Sequence, residues 1–373
     1  MRIVSFARLK PEHTILAFIL IMGVILRVLN ISDYEMQLEE QHTLSQMMAE
    51  NSDEIFLVNP QTERYTPVYE IGVKFYTVMA GLSLVNMRIP SIIAGILAIG
   101  LIYVLGSRLY SNETGLVSAA ILGFLWPAIE ASRTAGPEIF LLMMVLICGL
   151  IFWRILDETT RRTGPELSTW LGFTLALTLL SYSHQMGVFV ALTMVVIAAG
   201  YAAGIKRALV PALLSLTLLI ILCAPLSLML SEIMFSERTP SVLLSEMFFS
   251  TSDIAIFIQS WVFLLTGIGA TGYSIYALMR PDAPDFTDFQ QTRHAVDLML
   301  GGWILLIMIA GVIAALFNVP VAAGQLFMIF IPAVILLWSR LVHLITVNIP
   351  TFLRVGLGVA FIMMLHAIWH LMR

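Results

Sequence analysis

Charge is what this sequence has least of. Only 12% of its 373 residues are Asp, Glu, Lys or Arg, where a soluble domain carries about a quarter. So few charges cannot cover a water-facing surface, so lipid must do it. Cysteine is nearly missing too. The two present, Cys148 and Cys223, lie inside apolar runs, where a thiol packs as a small hydrophobe and says nothing about redox compartment. There is no Walker motif, no Rossmann glycine fingerprint and no nucleophile elbow, which removes sequence support for ATP-driven and dinucleotide chemistry. No internal repeat or low-complexity linker divides the chain. No small-residue cleavage site follows the first apolar stretch, so that stretch reads as an uncleaved span rather than a removed signal peptide. Nothing points to a nucleic-acid partner.

What is present is hydrocarbon. Apolar residues make up 59% of the chain, and the mean hydropathy is +0.92. A spanning helix needs ~20 mostly apolar residues, and backbone amides in lipid must be satisfied internally, by helices or closed barrels. The runs here are continuous rather than alternating, so they are helices. They fall near 13–30, 89–107, 115–131, 137–156, 168–183, 186–203, 209–230, 255–279, 295–317, 325–340 and 351–371. The expected fold is an all-α polytopic membrane protein of about eleven transmembrane helices, a single membrane domain over 1–373. Its first outer loop, 31–86, carries juxtamembrane helices, and no soluble domain is expected at the C-terminal end. Within that loop, 67–86 reads as an amphipathic helix lying at the interface.

Lysine and arginine set the orientation. With the N-terminus in the cytoplasm, thirteen of the twenty basic residues fall at cytoplasmic ends and six on the outer side, with Arg27 inside the first span. That agrees with the positive-inside rule and places the chain, multi-pass, in the cytoplasmic (inner) membrane. Fifteen of the twenty-four acids fall on the outer side or at outer span ends. Acids contribute little to topology. Their concentration either solvates the outer loops or marks the outer face as the functional one.

Three outer turns carry candidate chemistry. Glu39-Glu40 is a carboxylate pair that can hold a cation or act as a general base, or can simply be solvated loop acids. The tight turn Ser132-Arg133-Thr134-Ala135-Gly136-Pro137-Glu138 puts Arg133 and Glu138 at the membrane surface. Such groups face a cavity or partner, or form a structural ion pair or snorkel to headgroups. Tyr182-Ser183-His184-Gln185 offers a histidine that is either functional or a packing residue. All three turns lie on one side and could line one cavity. His366 and His370 share a helix face but have no third ligand nearby. Asp282–Asp288 reads as a solvated connector.

These pieces occur in a known order. Leu26-Arg27, Glu39-Glu40-Gln41-His42-Thr43-Leu44, Thr66-Pro67-Val68-Tyr69, Met87-Arg88-Ile89-Pro90-Ser91, Tyr103-Val104-Leu105-Gly106-Ser107-Arg108-Leu109-Tyr110, Gly115, Ser132-Arg133 with Pro137-Glu138, and Tyr182-Ser183-His184 together resemble the membrane domain of the GT-C glycosyltransferases. The likeness is to the bacterial relatives of protein O-mannosyltransferases and of the aminoarabinose transferase of lipid A. It is good over 20–190 and thin beyond, with a late trace in Gly324-Gln325-Leu326 through Ile331-Pro332-Ala333.

The resemblance implies an inverting glycosyltransferase that takes a sugar from a polyprenyl-phosphate donor and passes it to a lipid, glycan or protein acceptor on the outer face. Glu39 stands at the catalytic Asp position as the base. Glu40 and Glu138 would orient the acceptor, and Glu39 and Glu138 would hold a divalent cation, Mg or Mn. Arg133, His184 and Arg88 would face the donor phosphate. The pattern departs at Glu39, where the family has Asp, and at Gln325, where it often has Arg followed by Tyr. Two other readings stay open: a non-catalytic GT-C-like subunit working with a partner subunit and membrane lipids, and a lipid-linked sugar transporter. The transporter would favour broken helices at mid-membrane, paired between halves.

Overall fold

Proline, glycine and serine set the joints between the helices. The computed structural model describes residues 11–48, 67–160, 166–184, 186–203, 206–234, 323–345 and 349–372, with a few positions between 269 and 309. Within them lie α1 (Pro11–Val28), α2 (Leu38–Met48), α3 (Pro67–Ala80), α4 (Leu84–Leu109), α5 (Asn112–Phe124) and α6 (Trp126–Arg133). These are followed by α7 (Glu138–Thr160), α8 (Leu167–Ser183), α9 (Gly187–Ala203), α10 (Lys206–Met234), α11 (Ala323–Ile345) and α12 (Ile349–Leu371). Among the described residues there is no strand.

Among the described residues α1, α4, α7 over Glu138–Glu158, and α12 over Leu353–Leu371 are long and apolar enough to cross a membrane, and the bent pair of α5 and α6 is a fifth where it crosses as one broken span. Nine of the eleven expected spans coincide with described helices or, for 115–131, with the α5–α6 pair. The segments 255–279 and 295–317 lie largely outside the described residues, as does Asp282–Asp288. Large apolar side chains stand exposed on α1 (Phe18, Ile21), α8 (Leu171, Leu175), α10 (Leu213, Leu214) and α12 (Phe361, Ile362). These are surfaces for lipid, because no water-facing helix would display them in such density.

Two joints differ from the sequence expectation. The amphipathic helix stops at Ala80 rather than continuing to 86, because Gly81 takes φ +91°, a conformation that favours glycine. Ser83 then caps α4, its side chain accepting from the Asn86 N–H at 3.2 Å, so α4 starts five residues before the expected 89. The expected span 115–131 is not straight. It bends by 57° between α5 and α6, at Leu125, where Pro127 brings no N–H to continue the ladder.

α5 is the axis of the bundle, buried at every position from Thr114 to Phe124, with α1, α4, α11 and α12 packed around it. It approaches α4 as closely as backbones allow. A Cβ on Gly115 would overlap Ser107 Oγ and stand 2.6 Å from the Tyr103 carbonyl. Small residues at such a crossing are the usual means of close helix packing in lipid. On the far side of α7, α8, α9 and α10 pack on one another. α3 lies against α2, α4 and α8, over one end of the bundle.

Candidate functional site

The C-terminal end of α1, the N-terminal ends of α4 and α7, and the C-terminal ends of α6 and α8 meet at the bundle end that α2 and α3 cover. α7 and α8 are consecutive and packed together, so the turn at Glu138 and the cap at His184 fall at the same end. All three candidate turns therefore lie at the same end of the bundle, and hydrogen bonds join two of them, the Glu40 turn and the 132–138 turn.

Glu40 and Arg88 form the centre. Both are fully buried, and their pairing is bidentate, Nε to Oε1 and Nη2 to Oε2, each at 2.7 Å. Arg88 spends its other N–H groups on backbone carbonyls: Nη1 on Ile31 at 2.8 Å and Tyr34 at 2.9 Å, Nη2 on Glu35 at 3.1 Å. An arginine has five N–H groups, and all five are used. Glu40 also accepts from the Ala135 N–H at 2.8 Å and the Gln37 N–H at 3.0 Å, which fills its four lone-pair positions. The Gln37 bond is half of a capping box: Glu40 is the third residue of α2 and reaches back to the residue before the helix. The pair thus pins the 31–37 segment, α2 and the 134–137 turn to α4. As arranged, Arg88 holds no N–H in reserve for a phosphate and Glu40 no lone pair for an acceptor.

The turn is gripped elsewhere as well. Thr43 donates to the Ala135 carbonyl at 2.8 Å, and Ser91 donates to the Gly136 carbonyl at 3.2 Å while sharing a 2.9 Å bond with the Tyr69 hydroxyl. Tyr69 is buried and lies within the field of Glu138, Glu40 and Glu70; burial above all pushes its phenol well above the ordinary range, with the Ser91 hydrogen bond opposing and these charges adding to the rise. His42 Nε2 meets Glu70 Oε1 at 3.0 Å, joining α2 to α3.

Arg133 does not snorkel, and among the described residues its hydrogen bonds go to carbonyls rather than to a carboxylate. It is buried, with Nη1 on the carbonyls of Leu29 at 2.5 Å and Leu26 at 3.3 Å, and Nη2 on Asn30 at 3.4 Å. Leu26 lies in the last turn of α1 and Leu29 and Asn30 follow it; the Asn30 carbonyl also accepts from the Asp33 N–H at 3.2 Å. Arg133 Nε has no hydrogen-bond partner among the described residues. Tyr34 stands between the two arginines, its ring 5.2 Å from the Arg88 guanidinium and 5.0 Å from that of Arg133. Burial raises its phenol to about 12, with Glu130 and Glu40 adding to the rise and Arg133 and Arg88 opposing it.

His184 is buried. Its Nδ1 accepts from the Met186 N–H at 3.0 Å, which leaves the other ring nitrogen to carry the proton. Glu138 opens α7 and is buried. Glu39 lies in the first turn of α2; its side chain is outside the described residues, as is that of Gln325 in α11. Among the described residues no three His, Cys, Asp or Glu side chains gather as a metal site, so the described side chains alone do not fit a divalent cation.

Sequence reading did not single out Tyr34, Tyr69, Ser91 or the His42–Glu70 pair as parts of the site. His42, Tyr69 and Ser91 entered the sequence reading as motif positions of the family resemblance, with no role assigned to them.

Residues 65–228 match the family model described as dolichyl-phosphate-mannose-protein mannosyltransferase, a match that begins after the Glu39-Glu40 pair. No curated protein matches the chain. Among solved structures, ArnT from Cupriavidus metallidurans in the apo state is similar over 90% of this chain and 60% of its own, at 13% identity and TM-score 0.56. The same protein bound to undecaprenyl phosphate gives 93%, 62%, 13% and 0.55. The archaeal oligosaccharyltransferase AglB from Archaeoglobus fulgidus, in complex with an inhibitory peptide and a dolichol-phosphate, is similar over 96% of this chain and 55% of its own, at 12% identity and TM-score 0.57. The chain thus spans less than two thirds of the length of these structures, and the likeness is one of fold. It is a multi-pass membrane protein with the GT-C glycosyltransferase fold, and residues 65–228 carry the mannosyltransferase family's pattern.

Proposed function

We propose that the chain moves a sugar from a polyprenyl-phosphate donor to an acceptor hydroxyl at the outer face of the inner membrane, with inversion. The carboxylate of Glu39 takes the acceptor proton, and the acceptor oxygen attacks the anomeric carbon on the face opposite the phosphate. The bond from that carbon to the phosphate oxygen breaks, and polyprenyl phosphate leaves. The observation that carries the reading is the saturated Glu40–Arg88 pair, which fixes the first turn of α2, and with it the Glu39 backbone, against the turn bearing Arg133 and Glu138. A positioned base gains from such fixing because small misplacements cost rate steeply.

Glu40 and Arg88 then act as positioning residues, while Arg133 and His184 hold the donor phosphate. Arg133 Nε is unpartnered among the described residues, and a charge-assisted hydrogen bond from it to an anionic phosphodiester oxygen can form while Nη1 and Nη2 keep their carbonyls. The solved likeness bound to undecaprenyl phosphate supports a lipid-linked donor. The oligosaccharyltransferase of Archaeoglobus fulgidus in complex with Zn and sulfate keeps a divalent cation in view. Glu39 with Glu138 is the pair that would hold Mg or Mn here, and the steps above use none.

The test is release of polyprenyl phosphate from a panel of polyprenyl-phosphate sugars by purified protein in lipid, with and without a divalent cation, compared with Glu39→Gln. Turnover that disappears in the variant supports the transferase. Folded, lipid-retaining protein with no turnover on any donor refutes it and favours a non-catalytic subunit, a reading to which the fully occupied Glu40 and Arg88 also lend weight. Movement of an intact lipid-linked sugar across a vesicle would favour a transporter instead. The α5–α6 break is an observation on that side, but the described residues show no second break of the kind that paired halves require.

A further inference from the structure

Arg27 belongs to none of the roles above, yet it is among the most deeply buried large side chains of the protein. Its surroundings explain the bend between α5 and α6. In a straight helix the N–H of residue 127 would bond the Gly123 carbonyl. Pro127 has none, and that carbonyl is instead met by Arg27 Nη1 at 3.0 Å. The same nitrogen bonds the Gly23 carbonyl of its own helix at 3.0 Å. Arg27 Nε donates to Ser132 Oγ at 3.0 Å, and Ser132 donates onward to the Ala128 carbonyl at 2.6 Å. One guanidinium therefore holds the last turn of α5 and the last turn of α6 at once.

Two further features fit this arrangement. Gly95 on α4 leaves the room: a Cβ there would overlap Ser132 Oγ and stand 2.9 Å from Arg27 Nε. The exchange is also reciprocal, since Arg133 from α6 caps the end of α1 through Leu26, Leu29 and Asn30. Each element gives an arginine to acceptors of the other, backbone carbonyls in both directions and the Ser132 hydroxyl in one. A buried guanidinium that lost these acceptors would be heavily penalised, so the pair fixes one register of α1 against the bent helix.

We propose that Arg27 is a positioning residue. By supplying the hydrogen bond that Pro127 cannot, it sets the bend and so places the turn that carries Arg133, Ala135 and Glu138 beside the Glu40–Arg88 pair. Its bearing on catalysis rests on the transferase reading above; its bearing on the bend does not.

Four proteins in the same lipid and detergent test it: wild type, Arg27→Met, Pro127→Ala and the double variant. Alanine in place of Pro127 returns an N–H to the Gly123 carbonyl. Arg27→Met should lower the unfolding midpoint in the wild-type background, and by less than roughly half as much when Pro127→Ala is already present, since the two changes touch one acceptor. Equal falls in both backgrounds would overturn the proposal. If Arg27→Met does not fold, Gly95→Ala strains the same contact and should lower the midpoint relative to Gly100→Ala, where an added Cβ meets nothing within 4 Å; equal midpoints would overturn it. In turnover assays the double variant should regain stability while its KM for the donor rises by about tenfold, a change that a merely structural residue would not cause. A wild-type KM there would refute the positioning role. Absence of turnover in wild type would refute the transferase reading, while the midpoints would still decide the bend.

Discussion

Removing the Glu40 carboxylate is the most informative perturbation of this site. In Glu40→Ala, Arg88 stays buried and charged but loses two of its five acceptor contacts, and the Ala135 and Gln37 N–H groups lose theirs. Breaking a buried ion pair from one side costs about 3–5 kcal/mol. At about 2–4 °C per kcal/mol for a chain of a few hundred residues, the unfolding midpoint should fall by roughly 6–20 °C. Glu40→Gln keeps an acceptor oxygen but must set an NH2 against one edge of the guanidinium, so it should recover only part of the loss. The double change Glu40→Leu with Arg88→Met removes both charges and should be less harmful than Glu40→Ala, because the isolated buried charge is then gone. The assay is thermal unfolding of purified protein in detergent, followed by intrinsic tryptophan fluorescence at fixed scan rate. A Glu40→Ala protein melting within about 1 °C of wild type, a result expected only of surface substitutions, would refute the central place given to the saturated pair.

Three other outcomes follow from the geometry. Gly115→Ala forces a Cβ onto the Tyr103 backbone carbonyl, which cannot rotate away; it should cost about 1–3 kcal/mol, while Gly100→Ala should be neutral or gain up to ~1 kcal/mol of helix propensity, both read as midpoint shifts. Tyr34 has its folded pKa raised from 10 to about 12, so its stabilising contribution is complete below pH 10 and is lost as pH rises towards 12. The wild-type midpoint should therefore fall over that window more than that of Tyr34→Phe, and parallel pH profiles would contradict the burial described here. Glu70→Gln weakens the His42 contact between α2 and α3, so amide exchange should quicken in α2 and stay unchanged in α8; uniform protection would show that this contact contributes nothing to holding α2.

Much of the architecture is determined locally. An 18-residue apolar run such as α1 must be a helix wherever it meets hydrocarbon, because its backbone has no other partner there. Charge scarcity excludes a soluble surface for the same reason. The family's order of motifs located Glu39, Glu40, Arg88, Arg133, Glu138 and His184, and the structure brings the described members of that set to one end of the bundle. Even the glycine at 115 was visible as a motif position, although its reason, contact with Ser107 and Tyr103, was not.

What the tertiary structure alone decided is partnership. Arg88 reads from sequence as a free cation suited to a phosphate, and it is instead saturated by Glu40 and three loop carbonyls 48 to 57 residues away. Arg27 reads as a charge stranded in a span, and it caps a carbonyl that a proline 100 residues later leaves open. Periodicity and hydropathy describe how each segment meets its solvent. They carry no record of which orphaned group will lie beside which arginine, because that depends on helix crossings set by the packing of all segments together.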